Sequence, residues 1–100
     1  MMKIKLFCAA GMSTSMLVNK MKEVAKTRGL SVEIGAFPEA TLEKEADDCD
    51  VALLGPQVRF MLVAAKEICE PKGIPVDVIN IQDYGLMDGE KVLDMALSMI

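Results

Sequence analysis

The chain has 100 residues, 52% of them hydrophobic, and a net charge of −4. That is enough for one modest core, so a single domain over residues 1–100 is predicted; no apolar run reaches the roughly 18 residues of a membrane span, and the eleven basic residues are too scattered for a nucleic-acid footprint. Histidine is absent, which excludes a Ser-His-Asp triad, a histidine-paired cysteine, a histidine metal site and phosphate carried on an imidazole of this chain.

The stretch Met1 to Cys8 carries two lysines but lacks the apolar core of a signal peptide, and Cys8 lies too early for a lipoprotein cleavage cysteine. The expected location is therefore the cytoplasm. Ile4 to Phe7 reads as a short apolar strand. Cys8-Ala9-Ala10-Gly11-Met12-Ser13-Thr14-Ser15 follows, too rich in small and hydroxyl residues to continue it, so the chain turns there. Ser13, Thr14 or Ser15 can cap a helix running on from Met16, with Leu17, Met21, Val24 and Ala25 on one face and Arg28-Gly29 at its end. The cations Lys20, Lys22, Lys26 and Arg28 suit the closing turns of that helix.

Leu30, Val32, Ile34 and Ala36 alternate with polar or small residues, the period-two pattern of a half-buried edge strand. Pro38 to Ala46 predicts one or two helical turns crossing the sheet edge. Val51-Ala52-Leu53-Leu54 is apolar on both faces, as a central parallel strand should be, and Gly55-Pro56 ends it. Val58, Met61, Leu62, Ala65, Ile68 and Cys69 trace a helical stripe stopping at Pro71-Lys72-Gly73. Val76 to Ile79 is a fourth strand, Asp83-Tyr84-Gly85 a polar loop, and Asp88 the cap of a last helix with Val92, Leu93, Ala96, Leu97 and Ile100 facing inward.

This alternation predicts an α/β fold of three layers: a four-stranded parallel sheet of order 2-1-3-4 with helices on both faces. Ligands of such sheets bind beyond the carboxyl ends of the strands where the order reverses. That crevice pairs Cys8 to Ser15 with Gly55-Pro56-Gln57.

A strand-to-helix turn points unpaired N–H groups and the positive end of the helix dipole at one spot, which favours an anion. Ala9, Ala10 and Gly11 keep side chains out of the way, while Ser13, Thr14 and Ser15 offer hydroxyl donors. The same field favours a thiolate, so nucleophile and phosphate cradle coincide at Cys8. Free cysteines are more often small core residues; that reading suits Cys69 on its apolar stripe, and the aspartates around Cys49 oppose a thiolate there. The odd number of cysteines and the lack of a C-x-x-C pair disfavour disulfides and thiol-based metal sites, and no cofactor or metal is expected.

Two phosphate loops can be compared directly. A Walker loop needs Gly-Lys-Ser/Thr, and no lysine occurs between Lys5 and Lys20. A cysteine phosphatase loop has the form C-x5-R-S/T, and here Thr14 stands where its arginine would be, followed by Ser15. Without that guanidinium, or a histidine to activate water, hydrolysis of a thiophosphate should be slow, which suits a carrier that hands phosphate on.

The stretches Leu6 to Ser15, Phe37-Pro38-Glu39, Leu54 to Arg59 and Asp83-Tyr84-Gly85 together resemble the IIB component of the lactose/cellobiose (chitobiose, oligo-β-glucoside) class of the bacterial sugar phosphotransferase system. The resemblance implies a fold similar to low-molecular-weight tyrosine phosphatases. It implies that Cys8 is phosphorylated by a phosphohistidine of a IIA partner and passes the group to a sugar held by a membrane IIC partner, with Ala9 through Ser15 as the phosphate loop. Gln57 and Tyr84 are second-tier candidates for the rim, and Arg59 and Met12 could touch a partner. A monomer docking transiently at the inner face of the membrane is expected, with the sugar unassigned. Two other readings stay open on the residues alone: a cysteine phosphatase with Asp83 as general acid, and a non-enzymatic module whose loop merely senses an anion.

Overall fold

The computed structural model describes residues 1–9 and 12–100. Strands β1 (Met2–Cys8), β2 (Val32–Pro38), β3 (Val51–Leu54) and β4 (Val76–Val78) form one parallel sheet of order β2-β1-β3-β4, as the alternation of elements predicts. β1 is central: Leu6 lies opposite Ala36 on one side and Leu53 on the other, and Cys8 opposite Pro38. β2 is an edge strand with only Ile34 buried, whereas all four residues of β3 are buried.

Side chains alternate across the strands and divide the core into two clusters. On one face Ile4, Leu6, Val51 and Leu53 pack with Leu17, Val18 and Met21 of helix α1 (Met12–Thr27) and Val92, Leu93 and Ala96 of α5 (Gly89–Ser98). On the other, Phe7, Ala52, Leu54 and Val76 pack with Leu42 of α2 (Leu42–Glu45) and Ala65 and Cys69 of α3 (Leu62–Cys69). Each fully buried Val, Leu, Ile, Phe or Met side chain among them contributes about 1.5–3 kcal/mol by leaving water. Lys5 also points to the second face, where its ammonium bonds Glu45 at 2.9 Å and lies 5.2 Å from the centre of the Phe37 ring.

Four local expectations are corrected. Helix α1 begins at Met12 and not near Met16, so Ser13, Thr14 and Ser15 lie inside its first turns instead of capping it. The segment after β3 is a 3-10 helix (Pro56–Met61) before it becomes α3, because Val58 departs from helical geometry (φ −115°, ψ 24°). The polar loop around Asp83 is a helix, α4 (Ile81–Gly85), because the Asn80 side chain accepts from the N–H groups of Gln82 at 2.8 Å and Asp83 at 3.2 Å and supplies the cap. Ile100 is 61% exposed, since α5 ends at Ser98 before the stripe can carry it inward.

The ends of the two long helices follow their residues closely. Gly29 takes φ 70°, and the N–H of Leu30 closes back on the carbonyl of Ala25 at 2.9 Å, a glycine-dependent stop. Asp88 caps α5 through the N–H of Lys91 at 3.1 Å. Arg28, just past α1, bonds Asp94 of α5 at 2.6 Å and holds that carboxyl below the usual aspartate range.

The two helices meet most closely at Gly89. A Cβ there would lie 2.6 Å from the backbone carbonyl carbon of Lys20, so only glycine lets α5 start against α1. Gly89→Ala is expected to lower the unfolding free energy by about 1–3 kcal/mol, read as a lower urea midpoint. Gly85→Ala, where an added Cβ meets nothing within 4 Å, should stay within about 0.5 kcal/mol of the parent.

Candidate active site

Cys8 is the last residue of the central strand and is only 2% exposed. Its backbone is pinned from the β3 side, where the N–H of Gly55 donates to the carbonyl of Phe7 at 2.8 Å. The side chain turns to the start of α1: Cys8 Sγ lies 3.0 Å from Oγ1 of Thr14, which is fully buried. No acidic residue sits in the first turn of α1 to oppose an anion there. A thiolate at this point receives its hydrogen bond from the threonine hydroxyl, because the sulfur then has no proton to give.

Of the loop residues named from the sequence, Ala9 and Ser15 are exposed beside this buried pair. Ala10 and Gly11 lie outside the described residues, as do the side chains of Met12 and Ser13. The position that holds arginine in C-x5-R loops thus carries a hydroxyl in contact with the sulfur itself.

The crevice partner predicted after β3 is brought to the same point. A Cβ on Gly55 would fall 2.9 Å from Oε1 of Gln57 and 3.4 Å from the Cβ of Cys8. Gly55 has ordinary extended geometry (φ −64°, ψ 151°), and the nearest neighbour of an added Cβ is the amide end of the flexible Gln57 side chain, so the position is crowded without demanding glycine. Gln57 is itself exposed but folds back over this glycine. It also lines a shallow depression of about 300 Å³ with Pro56, Arg59, Ile81, Tyr84 and Gly85.

Tyr84 is 6% exposed and belongs to the α1 and α5 core cluster while lining that depression, so it is both a packing residue and part of the rim. Arg59 is fixed at the same place by Nη1 donating to the carbonyl of Pro56 at 3.0 Å. Asp83, the candidate acid of a phosphatase reading, is half-buried in the first turn of α4. The sequence places Gln57 at this crevice by its position after β3, but not the fold of its side chain over Gly55. Gly-Pro reads only as the end of a strand.

The remaining cysteines behave as core thiols. Cys69 is fully buried, and burial pushes its thiol up. Cys49 donates to the carbonyl of Val51 at 3.1 Å, and burial pushes it up to about 11. Burial replaces the aspartates as the cause, since Asp47 and Asp48 are engaged by Lys72 and Lys3, and Asp50 accepts the N–H of Lys3.

A thiol at the carboxyl end of a central parallel strand, bonded to a hydroxyl of the next helix, sets this chain among small α/β proteins with a cysteine at the switch point of a parallel sheet. The family model for the lactose/cellobiose-specific IIB subunit of the phosphotransferase system matches residues 3–95. A galactose-specific EIIB component of Lactococcus lactis subsp. cremoris and a cellobiose-specific EIIB component of Lactococcus lactis subsp. lactis are each 45% identical over 97% of this chain and 94% of their own. The solution structure of a cellobiose-specific IIB component from Borrelia burgdorferi is similar at a TM-score of 0.82 and 48% identity, covering 98% of this chain and 90% of that one. The chain belongs to the lactose/cellobiose-specific IIB family of the sugar phosphotransferase system, and it is a phosphotransferase component of sugar uptake. Among the described residues no helix is long and apolar enough to cross a membrane.

The Cys49 shift has a defined consequence for stability. With its folded value raised from 9.0 to about 11, the neutral buried thiol favours the folded state below pH 9. That contribution declines as pH rises from 9 to 11, where the unfolded chain ionises first, and Cys69 acts in the same direction. Urea titrations across this interval should show a shallower loss of stability in Cys49→Ala than in the parent.

Proposed function

We propose that residues 1–100 work as one IIB phosphocarrier domain in which Cys8 takes a phosphoryl group from a phosphohistidine of a IIA partner and passes it to a sugar in the IIC permease. In the first step the thiolate sulfur attacks phosphorus. The P–S bond forms as the P–N bond breaks, and the electron pair returns to the imidazole, which takes up a proton. In the second step a sugar hydroxyl attacks, the P–O bond forms, the P–S bond breaks and the thiolate is restored, the hydroxyl proton passing to a base on the acceptor side.

The observation that carries this reading is the 3.0 Å contact between Cys8 Sγ and Thr14 Oγ1 at the start of α1. It supports a site where a hydroxyl and the helix dipole stabilise negative charge on sulfur and then on the phosphoryl oxygens. Ala9 through Ser15 serve as the phosphate loop, with Gln57 and Tyr84 at its rim. The chain has no histidine to activate water and no guanidinium at position 14, so the phosphocysteine outlasts the wait for its acceptor.

The sugar is a β-linked disaccharide or oligosaccharide. Relatives equally similar to this chain are named for galactose and for cellobiose, so the choice among sugars rests with the IIC partner. The protein acts as a monomer in the cytoplasm and docks transiently at the inner face of the membrane.

After incubation with a phosphorylated IIA protein of this class, intact-mass and peptide mass spectrometry should find one phosphoryl group, on the peptide containing Cys8. Cys8→Ala should remain unlabelled, and a label on Cys49 or Cys69 would contradict the assignment. Thr14→Val, which keeps the volume and removes the hydroxyl, should slow labelling by about tenfold or more, the worth of one hydrogen bond to a charged group. Thr14→Ser should recover most of that loss.

A further inference from the structure

The edge strand β2 carries an unused row of backbone groups. Its inner side is paired with β1 along its whole length, and β2 ends the sheet, so its outer N–H and C=O groups meet no further strand. Among the described residues, no segment outside the sheet bonds the backbone of 32–37. Edge strands are commonly guarded by charges, proline or a bulge. Here the register with β1 runs without a bulge, proline comes only at Pro38, and Ile34-Gly35-Ala36-Phe37 carries no charge.

Beside this edge the helix layer has a gap. Val32, Ile34 and Ala36 face the α1 side, so Glu33, Gly35 and Phe37 face the other. There the short α2 leaves a hollow of about 330 Å³ lined by Lys3, Lys5, Glu33, Gly35, Phe37 and Asp48. Its charges do not balance. The Lys5 ammonium meets Glu45 at 2.9 Å, and that of Lys3 meets Asp48 at 2.6 Å and Glu33 at 3.9 Å. Three carboxylates thus surround two ammonium groups, and residues 39–50, which lead from β2 to β3, hold six acidic residues and one lysine. An anion is disfavoured in such a hollow, whereas a cationic side chain finds both surplus negative charge and the Phe37 ring for its stem.

Resting on the proposed function, we infer that the outer edge of β2 is a docking strip for an extended, Lys- or Arg-bearing cytoplasmic segment of the membrane partner. That segment adds a strand beside β2. Its main chain takes up the free N–H and C=O groups, and one cationic side chain enters the hollow beside Gly35. Cytoplasmic segments of membrane proteins carry an excess of Lys and Arg, whereas this chain has a net charge of −4, so the two surfaces are complementary. β2 lies on the far side of β1 from the crevice between the segments after β1 and β3. A partner held along β2 therefore leaves the approach to Cys8 open, and the carrier stays tethered while its thiol is reloaded.

Hydrogen exchange and transfer kinetics test this on the whole chain. With inside-out membrane vesicles containing a IIC permease of this class, amide exchange over 32–38 should slow about tenfold or more, already in the unphosphorylated protein, and vesicles without the permease should have no effect. Glu33→Lys reverses an exposed charge at the hollow, and Glu67→Lys makes the same change of net charge on α3, which packs against β4 at the opposite edge. Glu33→Lys should raise the KM for transfer into permease vesicles about fivefold or more at low ionic strength, a gap that narrows in about 0.5 M salt. Its phosphorylation by a IIA protein should match the parent's, and Glu67→Lys should match the parent throughout. Unchanged exchange over 32–38, or equal losses in the two variants, would overturn the assignment. So would slowing that follows protein concentration without membranes, which would give the edge to a second copy of this chain. Failure of the parent to pass phosphate to sugar would instead overturn the proposed transfer, while the exchange pattern of the unphosphorylated protein still decides the docking.

Discussion

Strand β1 is hydrogen-bonded on both sides, to β2 along its whole length and to β3 from Ile4 to Phe7, and the rest of the molecule is arranged around that double pairing. Because the pairing is parallel, every crossover helix has to start from the carboxyl end of a strand. The chain reverses its order of strands at β1, so the segments after β1 and β3 diverge there and leave a crevice. Cys8 closes β1 at that crevice, and the carbonyl of Phe7 is held by Gly55 from the neighbouring segment. The position of the sulfur thus follows from a strand that is paired on both sides up to the residue before it.

The chemistry around the sulfur is distinctive for what supplies it. With no histidine in the chain and threonine at position 14, the group the structure sets against the sulfur is a hydroxyl at the start of a helix. Such a group is preorganised and does not titrate near neutral pH, so in the proposed function it would steady a phosphoryl group without offering water a base. Arginine in the same place would grip the transferring group and favour turnover. A carrier is better served by the weaker hold, since the group must leave again for a different acceptor. Membership in the phosphotransferase IIB family is in keeping with that division of labour.

Strand order, the two-faced burial of β3 and the edge character of β2 were legible because each is written in side-chain periodicity. Val51 to Leu54 has no polar face, and Val32, Ile34 and Ala36 have one. Helix starts were less so, for a specific reason in each case. Ser13, Thr14 and Ser15 have the composition of a cap, yet Thr14 spends its hydroxyl on Cys8 from inside the helix, and composition does not reveal which partner a hydroxyl takes. Asn80 does cap α4, but it directly follows the apolar residues of β4 and precedes a stretch whose aspartate and glycine resemble a loop. At the site, Cys8 and Gln57 could be named from their places after β1 and β3. The fold of the Gln57 side chain back over Gly55 is a tertiary detail that leaves little trace in a residue pattern.

The central claim is that phosphorus becomes bonded to the sulfur of Cys8 and stays there until an acceptor arrives. Phosphorus-31 NMR of the protein, recorded during and after treatment with a phosphorylated IIA donor, reads the bonded atom directly. The account predicts one thiophosphate ester resonance that persists once the donor is removed and disappears when IIC membranes and sugar are added. A phosphate ester signal from a serine or threonine, or a thiophosphate that decays to inorganic phosphate as fast as the donor supplies it, would contradict it.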